Sequence, residues 1–245
     1  MVSLLRNSLR QFSLRCPNVT SYDTVNRFRA ARGRALHRLI VALSQHLGRD
    51  IRVLDVGGRP DYWINVGFER ISGIEVLNLF SSEADRPLPE GVPRDLFIPK
   101  VGDARNLMNY SDASVDLVHS NSVIEHVGGW NDMTAMASEL LRVGRAGWVQ
   151  TPAWGFPIEP HFRVPFAHWF ARPLQARLMS FSFVKRHRES NMVQRRRNVE
   201  KINLLPRSEV EALFPGCRIY TERFILAKSY SCYWTPNGVS FETNT

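Results

Sequence analysis

The chain has 245 residues, a net charge of +9, 44% hydrophobic residues and 22% charged residues. These values are typical of a soluble globular protein, and the length favours one domain with additions over two domains. No apolar stretch approaches the about 20 residues needed to cross a bilayer, which excludes a membrane-spanning protein.

The first segment, residues 1–48, is basic and helical in pattern. Residues 1–50 contain nine Arg and two acidic residues. Apolar residues recur at helical spacing from Val25 to Leu47, and Gly48 ends the pattern. The N-terminal stretch has no long apolar core and no small-residue cleavage site, so it is not predicted to be a secretory signal. Its Arg and Ser residues also suit a mitochondrial transit peptide, so the mitochondrial matrix is the alternative to a cytoplasmic protein, with or without peripheral contact with the membrane.

The cysteines give a second indication of compartment. Cys16, Cys217 and Cys232 are far apart and match no metal-binding spacing. Free thiols at such positions are typical of a reducing compartment. We therefore expect no metal site.

Residues 49–152 alternate between strand and helix patterns. Short apolar runs predict five strands, at residues 51–56, 73–80, 95–103, 114–120 and 147–152. An amphipathic helix is expected over residues 131–147, ending at a glycine-bearing turn. Strands that alternate with helices indicate an α/β fold with a mostly parallel, doubly wound sheet.

The remainder divides into an insertion, residues 153–205, and a last segment, residues 206–245. The insertion begins with an aromatic, proline-rich run and continues into residues 181–201, which contain seven basic and two acidic residues. The last segment predicts a short helix and two strands, 218–224 and 228–234. Because the two strands are so close in sequence, they should be antiparallel, which completes a seven-stranded sheet with an antiparallel last strand.

Polar residues follow four of the predicted strands. In a doubly wound sheet, ligands bind beyond the carboxyl ends of the strands. These ends carry the stretches 55–58 and 120–122, together with Asn78 and Asp103. Each has an ordinary structural explanation, since glycines form tight turns and Asn or Asp cap turns and helices. Their convergence at one edge of the sheet is what indicates a ligand site.

Residues 53–152 resemble class I methyltransferases, in particular the large group that acts on small molecules. The stretch VLDVGG is similar to the first motif of that family, VLNL to the end of its second strand and VGDARNL to its adenine-side loop. SVDLVHSNSVIEHV is similar to its fourth strand, and ELLRVGRAGWVQTP to the helix and fifth strand of that group. The resemblance implies a Rossmann-like fold, methyl transfer and S-adenosylmethionine as cofactor.

The resemblance also implies which residues contact the cofactor. Asp55, Gly57 and Gly58 would lie by its amino-acid end, and Asn78 would bind the ribose hydroxyls. Asp103 and Ala104 would contact the adenine. Asn121 and Ser122 would contact the methionine portion.

The sequence departs from the family pattern at three positions. The first motif usually continues with two further glycines, where this chain has Arg59 and Asp61. The second strand usually ends in Asp or Glu and here ends in Asn78, which makes a weaker hydrogen bond to a ribose than a charged acceptor does. Arg59 also argues against a nicotinamide-dependent dehydrogenase, whose fingerprint needs glycine at that position.

Two histidines are the candidate catalytic residues. His126 follows the fourth strand by one short turn, and His161 lies in the proline-rich part of the insertion. An imidazole suits proton transfer near neutral pH, although either residue could instead be structural. We expect His161 to contact the acceptor and His126 to organise the floor of the pocket. The candidate substrate-binding residues are Glu159, Arg163 and His168.

Three classes of function fit these observations. The favoured one is methyl transfer to a small-molecule, sugar or lipid-linked acceptor, with the insertion as a flap over the acceptor or as a plain apolar cover. The basic segments favour contact with an anionic membrane surface. A nucleic-acid methyltransferase is the second class, but aromatic and basic residues are not interleaved as in a single-strand platform, so we expect no nucleic-acid partner. The third is a non-catalytic relative that has lost cofactor binding.

Overall fold

Seven strands form one sheet in this computed structural model, which describes residues 27–80 and 92–243. In chain order they are β1 (Ile51–Val56), β2 (Ile71–Asn78), β3 (Phe97–Val101), β4 (Val115–Asn121), β5 (Gly144–Pro152), β6 (Arg218–Phe224) and β7 (Leu226–Trp234). Their order across the sheet is β3-β2-β1-β4-β5-β7-β6. The pairs among β1 to β5 are parallel, whereas β7 runs antiparallel to both of its neighbours. The predicted α/β sheet with an antiparallel last strand is confirmed.

The helices of the described residues cover the sheet and build the insertion. They are α1 (Arg27–Leu47), α2 (Trp130–Val143), α3 (Arg172–Leu178), α4 (Lys185–Arg188), α5 (Met192–Glu200) and α6 (Arg207–Leu213). No helix among residues 27–80 and 92–243 is long and apolar enough to cross a membrane. Residues 1–26 of the predicted basic segment lie outside the described residues.

Alternate side chains of the central strands enter two different cores. Val53 of β1 packs with α1 and Trp63 on one face of the sheet. Its neighbour Leu54 packs with α2 and α6 on the other face. Because both faces are covered, β1 is buried except at Arg52 and β4 is buried except at its last residue, Asn121, and their apolar residues are not restricted to alternate positions.

The prediction of a glycine-bearing turn after α2 was wrong. The helix ends at Val143, and β5 begins at the next residue, Gly144. A Cβ on Gly147 would lie 2.0 Å from the ring of Trp234, and one on Gly144 would lie 2.7 Å from a side-chain atom of Val118. These glycines therefore let a strand pack closely against its neighbours instead of forming a turn.

The insertion has a small core of its own. Its buried apolar residues are Phe162, Val164, Ala167, Ala176, Met179 and Val199. It connects to the sheet where Ala153 bridges Leu205 and where the backbone N–H of Asn203 donates to the carbonyl of Glu125. The insertion thus stands next to the carboxyl end of β4. The division of the chain at residues 48, 152 and 205 stays a prediction.

Candidate active site

A cavity of about 880 Å³ lies between the carboxyl ends of the central strands and the insertion. Its wall includes the turn after β1, the end of β4, Gln150 and Pro152 of β5, and the flap formed by residues 156–165. Parallel strands place their carboxyl ends at one edge, so the chain positions distant polar residues in one space. This volume is in the range of small-molecule sites.

The floor of the cavity contains a buried carboxylate–imidazole pair. Asp55 is completely buried, and its Oδ2 accepts a hydrogen bond of 2.8 Å from Trp63 Nε1. Its Oδ1 lies 2.6 Å from Nδ1 of the buried His119. Because a carboxylate accepts, we assign the proton of the imidazole to Nδ1. His119 Nε2 is then an acceptor, and it has no hydrogen-bond partner among the described residues.

Tyr62 closes the same side of the cavity. Its ring centroid lies 4.8 Å from that of His119, and its hydroxyl is buried with no hydrogen-bond partner among the described residues. Burial raises the pKa of Tyr62 to about 12, against a lowering effect of the Arg32 charge. The phenol is therefore neutral at physiological pH, and His119 and Tyr62 each have a polar atom without a partner among the described residues at this side of the cavity.

The Gly57–Gly58 turn is built by close contacts. Gly57 has φ of +69°, and a Cβ there would lie 2.5 Å from Val123. A Cβ on Gly58 would lie 1.8 Å from Asp55 Oδ2. Both glycines line the cavity, whereas Asn78 supports them from behind, because its Nδ2 donates to the carbonyl of Gly58 over 3.2 Å.

The end of β4 is held by polar contacts across the cavity mouth. Asn121 Oδ1 accepts from Arg32 Nη1 over 3.0 Å, and Arg32 Nε lies 3.3 Å from Glu222 Oε1. Ser122 has φ of +56°, and its hydroxyl donates to Gln150 Oε1 over 2.9 Å. The predicted residues Asn121 and Ser122 thus lie in the wall, in a network that ties α1, β4, β5 and β6 together.

The two predicted catalytic histidines contact each other in the wall of the cavity. The Nε2 atoms of His126 and His161 are 3.0 Å apart. Glu159 holds the flap, because its carboxylate accepts from the backbone N–H of His161 over 2.8 Å and is bonded to His161 Nδ1. Burial lowers the pKa of His161, but the hydrogen bond and charge of Glu159 raise it by more, so the pKa lies above its ordinary value.

Five of the predicted site residues lie outside the cavity wall: Asn78, Asp103, Ala104, Glu159 and His168. Asp103 is ion-paired with Arg105 at 2.6 Å, and this hydrogen bond lowers the pKa of the Asp103 carboxyl. His168 Nε2 lies 2.8 Å from the carbonyl of Trp154, and burial lowers the pKa of this imidazole. The predicted Arg163 does line the cavity, with a left-handed φ of +52°.

Sequence reasoning missed several wall residues. His119, Tyr62 and Gln150 line the cavity. They were missed because His119 and Gln150 lie within buried strands and Tyr62 lies in a short stretch with other large apolar residues. A histidine in the middle of an apolar strand was the available signal for His119. For Arg32 the sequence contains no such signal, because a basic residue on a helix is most often solvated.

Residues 62–148, about a third of the chain, match the family model described as Methyltransferase domain. This match covers Tyr62 in the cavity wall, the strand β4 and the turn that carries His126. We therefore identify this part of the chain as a methyltransferase domain.

Solved structures share the fold of this methyltransferase domain. The bifunctional kinase-methyltransferase WbdD is 16% identical, with a TM-score of 0.54 over 92% of this chain and 42% of that one. A co-crystal structure of WbdD with a kinase inhibitor is 15% identical, with a TM-score of 0.55 over 92% of this chain and 44% of that one. The chain therefore spans less than half the length of these WbdD chains.

A third neighbour has nearly the same length as this chain. It is the N-terminal domain of EvdMO1, crystallised in the presence of SAH and D-fucose, which is 15% identical with a TM-score of 0.50 over 93% of this chain and 94% of that one. No curated protein matches the sequence. At these identities the neighbours show the fold alone.

Proposed function

We propose that this methyltransferase domain transfers a methyl group from S-adenosylmethionine to a small-molecule acceptor with a sugar or lipid-linked portion. The observation that carries the proposal is the single cavity that joins the Gly57–Gly58 turn, the end of β4 and the histidine pair. Supporting it are the family match and, more weakly, the neighbour crystallised with SAH and a sugar.

The residues present fit the cofactor at its amino-acid end. Gly57 and Gly58 leave the cavity wall without side chains, and Asn121 and Ser122 stand at the adjacent strand end. These four residues would hold the methionine portion, with Asn78 at the ribose and Asp103 with Ala104 toward the adenine. Asp55 would act through the shape of the turn, since its two oxygens are already bonded to Trp63 and His119. The cofactor supplies the methyl group on a sulfonium, and the chain's task is to orient an acceptor toward it.

The charge of the cavity favours an acceptor with a negatively charged group. Seven Arg or Lys side chains line it, against the two acidic residues Asp55 and Glu222. Low-dielectric walls strengthen the field of these charges inside a cleft. A phosphate of a lipid-linked or activated sugar would meet this requirement, with Arg163 on the flap as its contact.

His161 is placed to contact the acceptor. It stands on the flap, opposite the strand that would carry the cofactor, and Glu159 fixes its orientation. His126 forms the floor beneath it, while His168 and Glu159 support the flap from behind.

A titration with S-adenosylmethionine and S-adenosylhomocysteine tests the proposal. We expect one site per chain, and Asp55→Ala should weaken binding clearly because it releases Trp63 and His119. Asp103→Ala should weaken binding by a smaller factor, since Asp103 is engaged by Arg105 and does not line the cavity.

Absence of binding at millimolar cofactor would contradict the proposal. It would favour the non-catalytic alternative, for which the specific observation is the Arg59–Asp61 ion pair of 3.0 Å at a position where the family has glycines.

A further inference from the structure

A buried carboxylate and two imidazoles converge beside the flap. One carboxylate oxygen of Glu125 and one ring nitrogen each of His126 and His161 lie within 4.8 Å of one another. Glu125 belongs to the turn Ile124–His126 after β4, whereas His161 belongs to the insertion. Only the fold brings them together, so no spacing in the sequence indicates the cluster.

Glu125 is an unusual residue for this position because it is completely buried. Its Oε2 accepts a hydrogen bond of 3.0 Å from Thr151, but its Oε1 has no hydrogen-bond partner among the described residues. A buried carboxylate oxygen without a partner costs free energy unless a positive group approaches it. A cation bound at the cluster would supply that positive group.

The protonation of the two histidines leads to the same conclusion. His126 Nδ1 lies 3.3 Å from the carbonyl of Lys201, which can only accept, so Nδ1 carries the proton. His161 Nδ1 is bonded to the Glu159 carboxylate, which also accepts from two backbone N–H groups, so this Nδ1 carries a proton as well. Both Nε2 atoms then present lone pairs to each other across 3.0 Å. Two facing lone pairs repel unless a proton or a metal ion lies between them.

We propose that Glu125, His126 and His161 bind a divalent transition-metal ion of the Zn²⁺ type. Two ligands on a tetrahedral ion with bonds of about 2.1 Å are about 3.4 Å apart, close to the observed separation of the imidazole nitrogens. Two imidazoles and one carboxylate suit Zn²⁺, Co²⁺ or Fe²⁺ better than Mg²⁺ or Ca²⁺, which prefer oxygen ligands.

The surroundings of the cluster match those of a metal site. Histidines that bind a metal commonly donate their other ring N–H to a carboxylate or a backbone carbonyl, as His161 does to Glu159 and His126 to Lys201. Three protein ligands leave a fourth position open, as in catalytic zinc sites. Both histidines line the cavity, so that position faces the space where the acceptor would bind.

The role of the ion rests on the proposed function, but its binding does not. In the methyltransferase the open position would hold an oxygen of the acceptor, and His161 would then contact the acceptor through the ion. Metal binding is measurable without cofactor or acceptor, so failure of one proposal leaves the other testable.

The experiment is a titration of the full chain, free of affinity tags and stripped with a chelator, with Co²⁺ and Zn²⁺. We expect one high-affinity Co²⁺ per chain with the visible absorption of a tetrahedral site, displaced by Zn²⁺. His126→Ala and His161→Ala should each abolish this absorption, and the isosteric Glu125→Gln should weaken binding strongly. Glu159→Gln should weaken it by about 10–100-fold, as expected for a residue that orients a ligand.

The matched control is His46→Ala, which removes an exposed histidine on the far part of α1 and should leave the Co²⁺ spectrum unchanged. Circular dichroism of each variant checks that it is folded. If the folded wild type binds no Co²⁺ or Zn²⁺ at a defined ratio, or if Glu125→Gln and His161→Ala bind as well as His46→Ala does, the proposal is wrong. A proton between the two nitrogens would then be the occupant.

Discussion

At the scale of single residues, the site depends on carboxylates that act on imidazoles. Asp55 orients His119, and Glu159 orients His161 together with the backbone of the flap. In both cases the carboxylate is buried and the second ring nitrogen is directed away from it. Such pairs fix the tautomer and the direction of the imidazole, which is the precondition for a defined contact with a ligand.

Removal of either facing histidine should affect turnover more than cofactor binding. For His161→Ala we expect a loss of about 10²–10⁴-fold in turnover, the range for a group that acts on the reacting acceptor, with cofactor affinity nearly unchanged. Glu159 would still hold the backbone N–H groups of the flap, so the fold should persist. Turnover is measured with the best acceptor from a panel of sugar phosphates and lipid-linked sugars.

The control for this prediction is a thermal unfolding measurement on the same variants, with His46→Ala beside them. If the activity of His161→Ala falls only in proportion to a lowered unfolding temperature, His161 is structural. The assignment of the two histidines would then be reversed if His126→Ala alone reduced turnover at full stability.

At this scale the sequence revealed the identity of candidates but not their surroundings. Asn121, Ser122 and the two histidines were predicted from strand ends and from the flap, and all four line the cavity. The partners Glu125 and His119 were not predicted to matter, because burial is decided by tertiary packing. Glu125 in particular is a charged residue beside His126 in the sequence, and only the fold shows that it is completely buried.

At the scale of elements, the backbone of the turn after β1 forms the wall of the proposed cofactor site. It must reverse direction directly above Asp55 while Val123 packs onto it from the end of β4. Both requirements exclude a Cβ. The family resemblance to a glycine-rich first motif thus has a physical reason at Gly57 and Gly58, although Arg59 and Asp61 follow them.

Alanine substitutions at these two glycines should destabilise the protein and weaken cofactor binding. Gly57→Ala combines a left-handed φ with a contact of 2.5 Å to Val123, and the conformation alone costs about 1–2 kcal/mol. Gly58→Ala would displace the Asp55 carboxylate, and with it the bonds to Trp63 and His119. The free energy of unfolding and the cofactor affinity are the two measurements.

Gly155→Ala is the matched control, because a Cβ there has no atom within 4 Å and its φ is not left-handed. It should leave the free energy of unfolding within about 0.5 kcal/mol of the wild type. Equal stability of Gly58→Ala and Gly155→Ala would show that the turn is not packed as described.

The elements were largely predictable because the sheet is covered on both faces. Buried strands were evident as apolar runs, and their ends differ from the predicted ends by three residues at most, as at β5. The error at the start of β5 arose because small residues have two uses. Gly144 and Gly147 have the composition of a turn, but Trp234 from β7 covers Gly147, and that contact is not visible before the sheet order is known.

At the scale of the whole molecule, charge is the feature that the fold does not explain. The chain carries +9, and α5 contributes Arg195, Arg196 and Arg197 in succession. Val193 on the same helix is an exposed apolar residue, at 59% exposure. This combination is typical of a surface that contacts an anionic membrane, and residues 1–20, whose charge has the same sign, lie outside the described residues.

We expect vesicles that contain acidic lipid to retain the protein at low salt and to release it as ionic strength rises. Replacement of the exposed Arg197 by Gln should weaken retention by about 1 kcal/mol, whereas Arg196 is ion-paired with Glu200 over 2.8 Å and should contribute less. Co-sedimentation measures both effects, with neutral vesicles as the control. Equal sedimentation with neutral and acidic vesicles would contradict an electrostatic contact, and tighter binding to RNA than to lipid would favour a nucleic-acid partner.

A crystal structure of the protein with S-adenosylhomocysteine is the most direct test of the central claim, that one cavity holds cofactor and acceptor together. The account predicts the ligand in the cavity, with its amino-acid end at the Gly57–Gly58 turn and its sulfur near Asn121 and Ser122. The His126–His161 pair should then face the sulfur across open space of a size for an acceptor. A fully occupied ligand at another place on the protein, or a cavity that stays without ligand at saturating concentration, would contradict the account.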